Sequence, residues 1–230
     1  MSEFGIMGRS NTTQNVVNQL REDIILCRYQ DGEKIRELAL AEKYGASRSA
    51  VRNALLILER EGLVLPQPNG TKHLCHLGIS DIEDIYDLRS YIETKAIEQI
   101  FHRPHRSFSA LMEVMNRLTS CGNADVYEIL RIDAAFHREA IAASGNKALT
   151  QAWDTMDGIT QAVFHLNMTE SPEYMAWFRQ TFEARHRQLL AALISDEEQS
   201  KQLFAQHIED ARQTSLKALS KILEATKQKK

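Results

Sequence analysis

Apolar residues recur at helical spacing in three stretches near the start of the chain. Each stretch is followed by a glycine: residues 14–27, 35–44 and 48–61 precede Gly32, Gly45 and Gly62. Glycine readily closes a helix, and Ser47 is a suitable N-cap for the third stretch. The pattern therefore predicts three helices, with the last two joined by the short turn of a helix-turn-helix.

The apolar pattern changes after Gly62. Residues 63–65 and 71–77 favour short strands, and the segment between them, residues 66–70, is rich in proline, asparagine and glycine. Two short strands joined by such a segment indicate a hairpin, which is the wing of a winged helix-turn-helix.

From Ser80 onward the helical spacing continues with no strand pattern. Ser80 and Glu83 resemble a capping box at the start of the first of these helices. Six helices are predicted, over residues 80–100, 107–120, 125–144, 147–167, 172–194 and 197–226. We therefore expect a mainly α protein whose C-terminal part is an all-helical bundle.

These patterns divide the chain into four parts. We expect a flexible N-terminus over residues 1–13 and a basic tail over residues 227–230. Between them we expect a DNA-binding domain over residues 14–77 and an all-helical domain over residues 78–226.

The composition is that of an ordinary globular protein. Of the 230 residues, 43% are hydrophobic and 26% are charged, which suffices for one large or two modest cores. No apolar run approaches the roughly 20 residues of a membrane span, and the first ten residues lack the order of a signal peptide. Cys27, Cys75 and Cys121 form no C-x-x-C pair, which argues against a disulfide framework. We expect a cytoplasmic protein.

The net charge of −3 does not by itself indicate nucleic-acid binding, so the position of the positive charges matters. On the third helix Arg48, Ser49, Arg52 and Asn53 lie beside the apolar stripe, near the N-terminal end. A recognition helix contacts bases and phosphates with these positions. The alternative is a solvated helix face.

The string LALAEKYGASRSAVRNALLILEREGLV resembles the signature of the GntR family of winged helix-turn-helix regulators. The resemblance covers residues 14–77 and implies DNA contacts by both arginines of the third helix. It departs from the family at Ala50, where proline is usual, at Asn53, where glutamate is usual, and in the Asn69-Gly70 wing. The DNA-binding residues implied are Ser47, Arg48, Ser49, Arg52, Asn53 and Gly70.

In the C-terminal helices, polar residues on apolar stripes are the informative positions. Arg89 shares a helix face with Ile85, Ile92 and Ala96, and a buried guanidinium is costly unless it meets an anion. One interpretation is an internal salt bridge with a carboxylate such as Asp133. The other is a ligand carboxylate or phosphate held by the planar guanidinium.

Four further polar residues lie on core-facing stripes. Asp133 and His137 are spaced i, i+4, so both side chains reach one point and can grip a divalent metal. His186 and His207 lie on the stripes of two later helices. Each histidine alone is more typical of a hydrogen-bonded core residue, but four such groups on three stripes favour a metal site. The direction in which His165 faces stays open.

The segments around these residues resemble the FCD sensor domain of the FadR subfamily, specifically its VanR-like branch. They are Asp133-Ala-Ala-Phe-His137, His186-Arg-Gln-Leu-Leu and Gln206-His207. The resemblance spans residues 80–220. It implies that Asp133, His137, His186 and His207 hold a metal ion, and that Arg89, in an L-R-x-x-x-E setting with Glu93, binds a carboxylate effector.

The sequence thus predicts a DNA-binding transcriptional regulator, expected to be a repressor, that responds to a small organic acid at a metal site. The partners expected are double-stranded DNA with a palindromic operator, a carboxylate effector and a second copy of the chain, without a membrane. Zn²⁺, Ni²⁺ and Mn²⁺ all suit the ligand set. The alternatives are a regulator with a purely structural metal and a metal-dependent hydrolase, against which no H-E-x-x-H or G-x-S-x-G motif is present.

Overall fold

The computed structural model describes residues 12–119, 126–170 and 172–227. The chain divides into two compact units at the boundary between His76 and Leu77. Cys121, most of the expected flexible N-terminus and the last three residues of the expected basic tail lie outside the described residues.

The first unit contains three helices and a hairpin. They are α1 (Thr13–Ile25), α2 (Glu37–Tyr44), α3 (Arg48–Arg60), β1 (Val64–Pro66) and β2 (Lys72–Leu74). Helices α1 and α3 pack against each other through fully buried side chains, among them Leu20, Ile24 and Leu58. A buried ion pair reinforces this contact, since Arg21 donates to both carboxylate oxygens of Glu61 at 2.8 and 2.7 Å.

The turn between α2 and α3 follows from local chemistry. Gly45 closes α2 in the left-handed conformation, with φ of 60°. The Ser47 hydroxyl then caps α3 by accepting a hydrogen bond from the amide of Ala50 at 3.1 Å. In the wing, β1 and β2 pair antiparallel with Val64 opposite Leu74. The predicted winged helix-turn-helix is confirmed.

Within the described residues, every element of the second unit is a helix. They are α4 (Ile79–Phe101), α5 (Ser109–Thr119), α6 (Val126–Ala142), α7 (Lys147–Glu170), α8 (Pro172–Ser195) and α9 (Glu197–Lys227). Helix α4 packs along α9, α6 packs on α7, and α5 lies against α6 and α8. The predicted helical bundle is confirmed, and no helix among the described residues is long and apolar enough to cross a membrane.

The start of α4 differs from the prediction. The N-cap is Gly78, whose amide donates a 2.6 Å hydrogen bond to the carboxylate of Asp81. The proposed capping box of Ser80 and Glu83 is therefore wrong. Asp81, three residues after the cap, occupies the position from which an acidic side chain reaches back to the first free amide.

A cluster of buried apolar side chains fills the space between the helices of the second unit. Phe136 on α6 is fully buried in this cluster and lies within 6.4 Å of the ring of Phe204 on α9. The edge-to-face contact between Phe136 and His186 brings their rings within 4.7 Å. The apolar core therefore holds polar side chains of several helices in fixed positions.

Candidate functional site

The four predicted metal ligands meet inside the second unit. Helix α6 supplies Asp133 and His137, α8 supplies His186, and α9 supplies His207. One potential ligand atom from each residue lies within 4.8 Å of the others. His186 Nε2 is 3.1 Å from Asp133 Oδ1, and His137 Nε2 is 3.2 Å from His207 Nε2. Residues from three helices therefore converge on one point.

In His137 and His186, the hydrogen bond of Nδ1 determines that Nε2 faces the point of convergence without a hydrogen. His137 donates its Nδ1 hydrogen to Glu93 at 2.6 Å, and His186 donates its Nδ1 hydrogen to the carbonyl of Phe182 at 2.8 Å. In a neutral imidazole the other nitrogen, Nε2, then carries a lone pair. Two lone pairs and the carboxylate of Asp133 thus face one another, an arrangement that a cation stabilises.

Electrostatics favour the metal-binding forms of these groups. Burial lowers the pKa of His137, against the opposing influence of Glu93, and burial also lowers the pKa of His207 well below its usual value. Burial opposes ionisation of Asp133, but His186, His137 and Arg89 outweigh it and hold the pKa of that carboxyl well below its usual range. These directions favour neutral imidazoles at His137 and His207 and an ionised carboxylate at Asp133, as metal binding requires.

The spacing of the ligand atoms fits a metal ion closely. Atoms bound to one ion at about 2.1 Å lie at most about 4.2 Å apart. The observed separations of up to 4.8 Å require shifts of less than about 1 Å, which side-chain rotation can provide. The cluster could hold a single divalent metal ion.

Arg89 lies beside this cluster and is only 2% exposed. Its Nε donates a 2.7 Å hydrogen bond to Glu93, so its carboxylate partner is Glu93 and not Asp133, the residue suggested from the sequence. Its Nη2 is buried and has no hydrogen-bond partner among the described residues. An unpartnered buried guanidinium nitrogen is unfavourable and marks a place where an anion would bind.

A cavity of about 40 Å³ adjoins both the cluster and Arg89, which is room for about three water molecules. Arg89, Asp133, His186 and His207 line its polar side. Its aromatic lining comprises Phe164, Tyr174, Trp177, Phe178 and Phe182. His165, although buried, is not among the described residues that line the cavity. The cavity is thus lined by three of the four candidate metal ligands, by the side chain of Arg89 and by aromatic rings.

In the first unit the predicted DNA-contacting side chains lie on an open surface. Arg48, Ser49, Arg52 and Asn53 are all exposed on the first turns of α3. Arg52 is 60% exposed and donates from Nε to Glu37 of α2 at 2.8 Å, which leaves its terminal nitrogens for other partners. Gly70 is exposed at the tip of the wing with φ of 77°.

Comparison with known families agrees with both units. Residues 12–71 match the family described as bacterial regulatory proteins, gntR family, and residues 84–210, more than half of the chain, match the FCD domain. The chain belongs to the GntR family and carries an FCD domain. Members of these families regulate transcription, so this GntR protein is a DNA-binding transcriptional regulator and not an enzyme. The alternative of a metal-dependent hydrolase is therefore discarded.

Individual relatives support this assignment. The HTH-type transcriptional regulator YdhC of Bacillus subtilis (strain 168) is 28% identical over 66% of this chain and 69% of its own length. The gluconate operon transcriptional repressor of the same strain is 24% identical over 70% of this chain and 67% of its own length. A crystal structure of a GntR transcriptional regulator from Rhodococcus sp. RHA1 has a TM-score of 0.64 at 22% identity, over 90% of this chain and 98% of that one, which shows a shared fold.

Sequence reasoning missed several residues of this GntR protein's cavity. Arg185 lines it, pairs with Asp210 at 2.5 Å and lies 5.4 Å from the ring of Trp177. Thr214 on α9 also lines the cavity. Asp210 and Thr214 follow His207 by three and seven residues, so helical spacing from the histidine was the signal that could have found them.

Proposed function

We propose that this GntR regulator is a repressor that releases its operator when a small organic acid binds at a metal site in the FCD domain. Asp133, His137, His186 and His207 would hold the ion, and Arg89 would bind the acid. The observation that carries the proposal is that three of the four candidate ligands, Asp133, His186 and His207, line one cavity together with Arg89, whose Nη2 has no partner among the described residues.

Three imidazole nitrogens and one carboxylate oxygen suit a divalent ion such as Zn²⁺, Ni²⁺ or Mn²⁺. When bound, such an ion would supply positive charge that attracts the acid's carboxylate and a neighbouring hydroxyl. The Arg89 guanidinium then pairs with a remaining charged oxygen of the acid. The similarity to a gluconate operon repressor supports an organic acid as the effector class.

The charge balance of the site also favours an anion. Arg89 is paired with Glu93 through Nε, and Asp133 supplies one further negative charge. A divalent cation would leave this buried group with a net charge of +1, since the imidazoles are neutral. Burying an uncompensated charge is unfavourable, and a carboxylate would neutralise it.

Sequence-specific DNA binding is proposed for the winged helix-turn-helix over residues 14–77. Arg48 and Arg52, with Ser49 and Asn53, would contact base edges and phosphates, and Ser47 and Gly70 would support contacts at the helix start and the wing. A single winged helix reads one half-site, so we propose that two copies bind a palindromic operator.

Metal analysis of the purified protein tests the site. Wild-type protein exchanged into Zn²⁺ and then desalted should retain one equivalent, and the double variant His186→Ala with His207→Ala should retain much less. The double variant should keep its DNA affinity, because both substitutions lie in the FCD domain. A full metal equivalent in the double variant would show that the ion binds elsewhere.

The alternative of a purely structural ion makes a different prediction. In that case the metal is bound at the same residues, but no organic acid changes the affinity for DNA. A response of the wild type to an acid separates the two cases, and Arg89→Met should abolish that response while the metal equivalent is retained.

A further inference from the structure

The carboxylate of Glu93 lies between the candidate metal ligand His137 and the candidate anion-binding residue Arg89. One oxygen, Oε2, accepts from His137 Nδ1 at 2.6 Å, and the other, Oε1, accepts from Arg89 Nε at 2.7 Å. Glu93 is 1% exposed. A buried carboxylate with each oxygen bound to a different functional candidate is therefore shared by two parts of the site.

On the side of His137, this contact decides which nitrogen carries the hydrogen. An ionised carboxylate only accepts hydrogen bonds, so the nitrogen facing Glu93 must be protonated. Nε2 of a neutral His137 is then left as the lone pair that faces His207 at 3.2 Å. Carboxylates that accept from the outer nitrogen of a ligating histidine fix its tautomer and orientation in this way.

On the side of Arg89, the contact engages Nε and leaves Nη2 available for another partner. The Nε hydrogen is committed to Glu93, whereas Nη2 is buried without a partner among the described residues. The Trp153 ring lies 5.6 Å from the guanidinium carbon and limits its movement on one side. Arg89 is one of the side chains that line the cavity.

We infer that Glu93 is a positioning residue that keeps His137 in its metal-binding tautomer and holds Arg89 so that Nη2 stays available for an anion. The inference rests on the proposed metal site. An ordinary internal salt bridge explains one oxygen of Glu93 but explains neither the contact of the other oxygen with His137 nor the unpartnered nitrogen of Arg89. Through Glu93, metal binding and anion binding share one buried group.

The variant Glu93→Gln tests this role with little change of shape. An amide presents one oxygen and one NH₂ group, so it cannot accept hydrogen bonds from both His137 and Arg89. If the NH₂ group faces His137, the imidazole must offer a lone pair at Nδ1 and carry its hydrogen on Nε2, which removes a metal ligand. If the NH₂ group faces Arg89, two donors oppose each other.

We therefore expect Glu93→Gln to weaken Zn²⁺ binding by about 10- to 100-fold, the usual effect of losing such an outer partner. Competition with a chromophoric chelator measures this affinity. Glu98→Gln is the matched control on the same helix, because Glu98 is a partly exposed partner of Lys95, and its Zn²⁺ affinity should equal that of the wild type.

A second measurement observes the tautomer of His137 directly and begins with the wild-type protein. Long-range ¹H–¹⁵N NMR spectra of metal-free wild-type protein should show His137 protonated on Nδ1 and a slowly exchanging Nε–H signal for Arg89. In Glu93→Gln the tautomer should shift toward Nε2–H or the Arg89 signal should exchange faster. A structural role without positioning would move neither signal.

The failure of this inference is distinguishable from failure of the proposed function. If the wild type binds Zn²⁺ through His186 and His207 but Glu93→Gln binds it equally tightly, the role of Glu93 is overturned and the metal site stands. An Nε2–H tautomer of His137 in the metal-free wild type also overturns it. If the wild type binds no metal at these histidines, the proposed function fails first.

Discussion

At the scale of single residues, the buried histidines tie the stability of the metal-free protein to pH. Burial lowers the pKa of His137 and of His207 in the folded state, whereas the unfolded chain protonates its histidines near pH 6.5. The unfolded state therefore binds more protons below that pH. Stability rises with pH wherever the unfolded state binds more protons, so acid should destabilise the fold.

We predict that the free energy of unfolding of chelator-treated protein decreases between pH 7 and pH 5. Each such histidine contributes at most about 1.4 kcal/mol per pH unit. The variant His207→Gln should show a shallower decrease, because it removes one of the groups. Urea denaturation followed by circular dichroism at several pH values measures this. His105→Gln is the control, since His105 is exposed.

Equal slopes for His207→Gln and wild-type protein would contradict the idea that this buried imidazole is held neutral. The comparison requires metal-free samples, because a bound ion would compete with protons for the same nitrogen.

At the scale of elements, α3 is the helix that we propose contacts the bases of DNA. The exposed guanidinium of Arg52 is held through Nε by Glu37 on α2, and Arg48 is exposed one turn earlier. Arginine side chains presented in this way can pair with guanine, at about 1–3 kcal/mol of discrimination for each good pair.

We predict that Arg48→Ala and Arg52→Ala each weaken specific DNA binding by about 1–3 kcal/mol, with the FCD domain still folded. Fluorescence anisotropy at fixed salt, on DNA selected by the protein from a random-sequence pool, measures the affinity. Arg60→Ala is the control, because Arg60 lies in the last turn of the same helix. If the double variant of Arg48 and Arg52 bound the selected DNA as tightly as wild-type protein, α3 would not be the reading element.

The helices also show which features of the structure can be predicted from sequence patterns. Apolar spacing predicted the helices because it depends on neighbours within one helix, and it brought Asp133 and His137 onto one face. The predicted start of α4 was wrong, because Asp81 accepts a hydrogen bond from the amide of Gly78. This contact caps the helix ahead of the predicted capping box of Ser80 and Glu83. The partner of Arg89 could not be predicted, because the choice between Glu93 and Asp133 depends on rotamers and on the packing of several helices.

At the scale of the whole molecule, DNA recognition implies a particular assembly. One winged helix contacts a half-site, and a two-fold symmetric operator calls for two copies. We predict a homodimer with twice the chain mass of 26.2 kDa. Multi-angle light scattering at micromolar concentration, with and without the selected DNA, gives the mass. A monomer in both samples would contradict the symmetric arrangement.

The proposed metal site would influence DNA binding through its ligands, which come from three helices of the FCD domain. An acid that binds one arrangement of these helices more tightly than another shifts the population toward that arrangement. A 100-fold change in DNA affinity requires only about 2.7 kcal/mol of differential binding. A bound ion together with Arg89 can supply a difference of this size.

The most direct test of this coupling measures the fluorescence anisotropy of labelled, selected DNA bound to Zn²⁺-loaded protein. The complex is titrated with 2-hydroxy acids, sugar acids and aromatic acids, and sodium chloride at equal ionic strength is the control. We predict that at least one acid raises the Kd for DNA by about 100-fold, or about 2.7 kcal/mol. The metal-stripped wild type and the variant His186→Ala with His207→Ala should not respond. A Kd that no acid changes, or that changes equally in the double variant, would contradict the account.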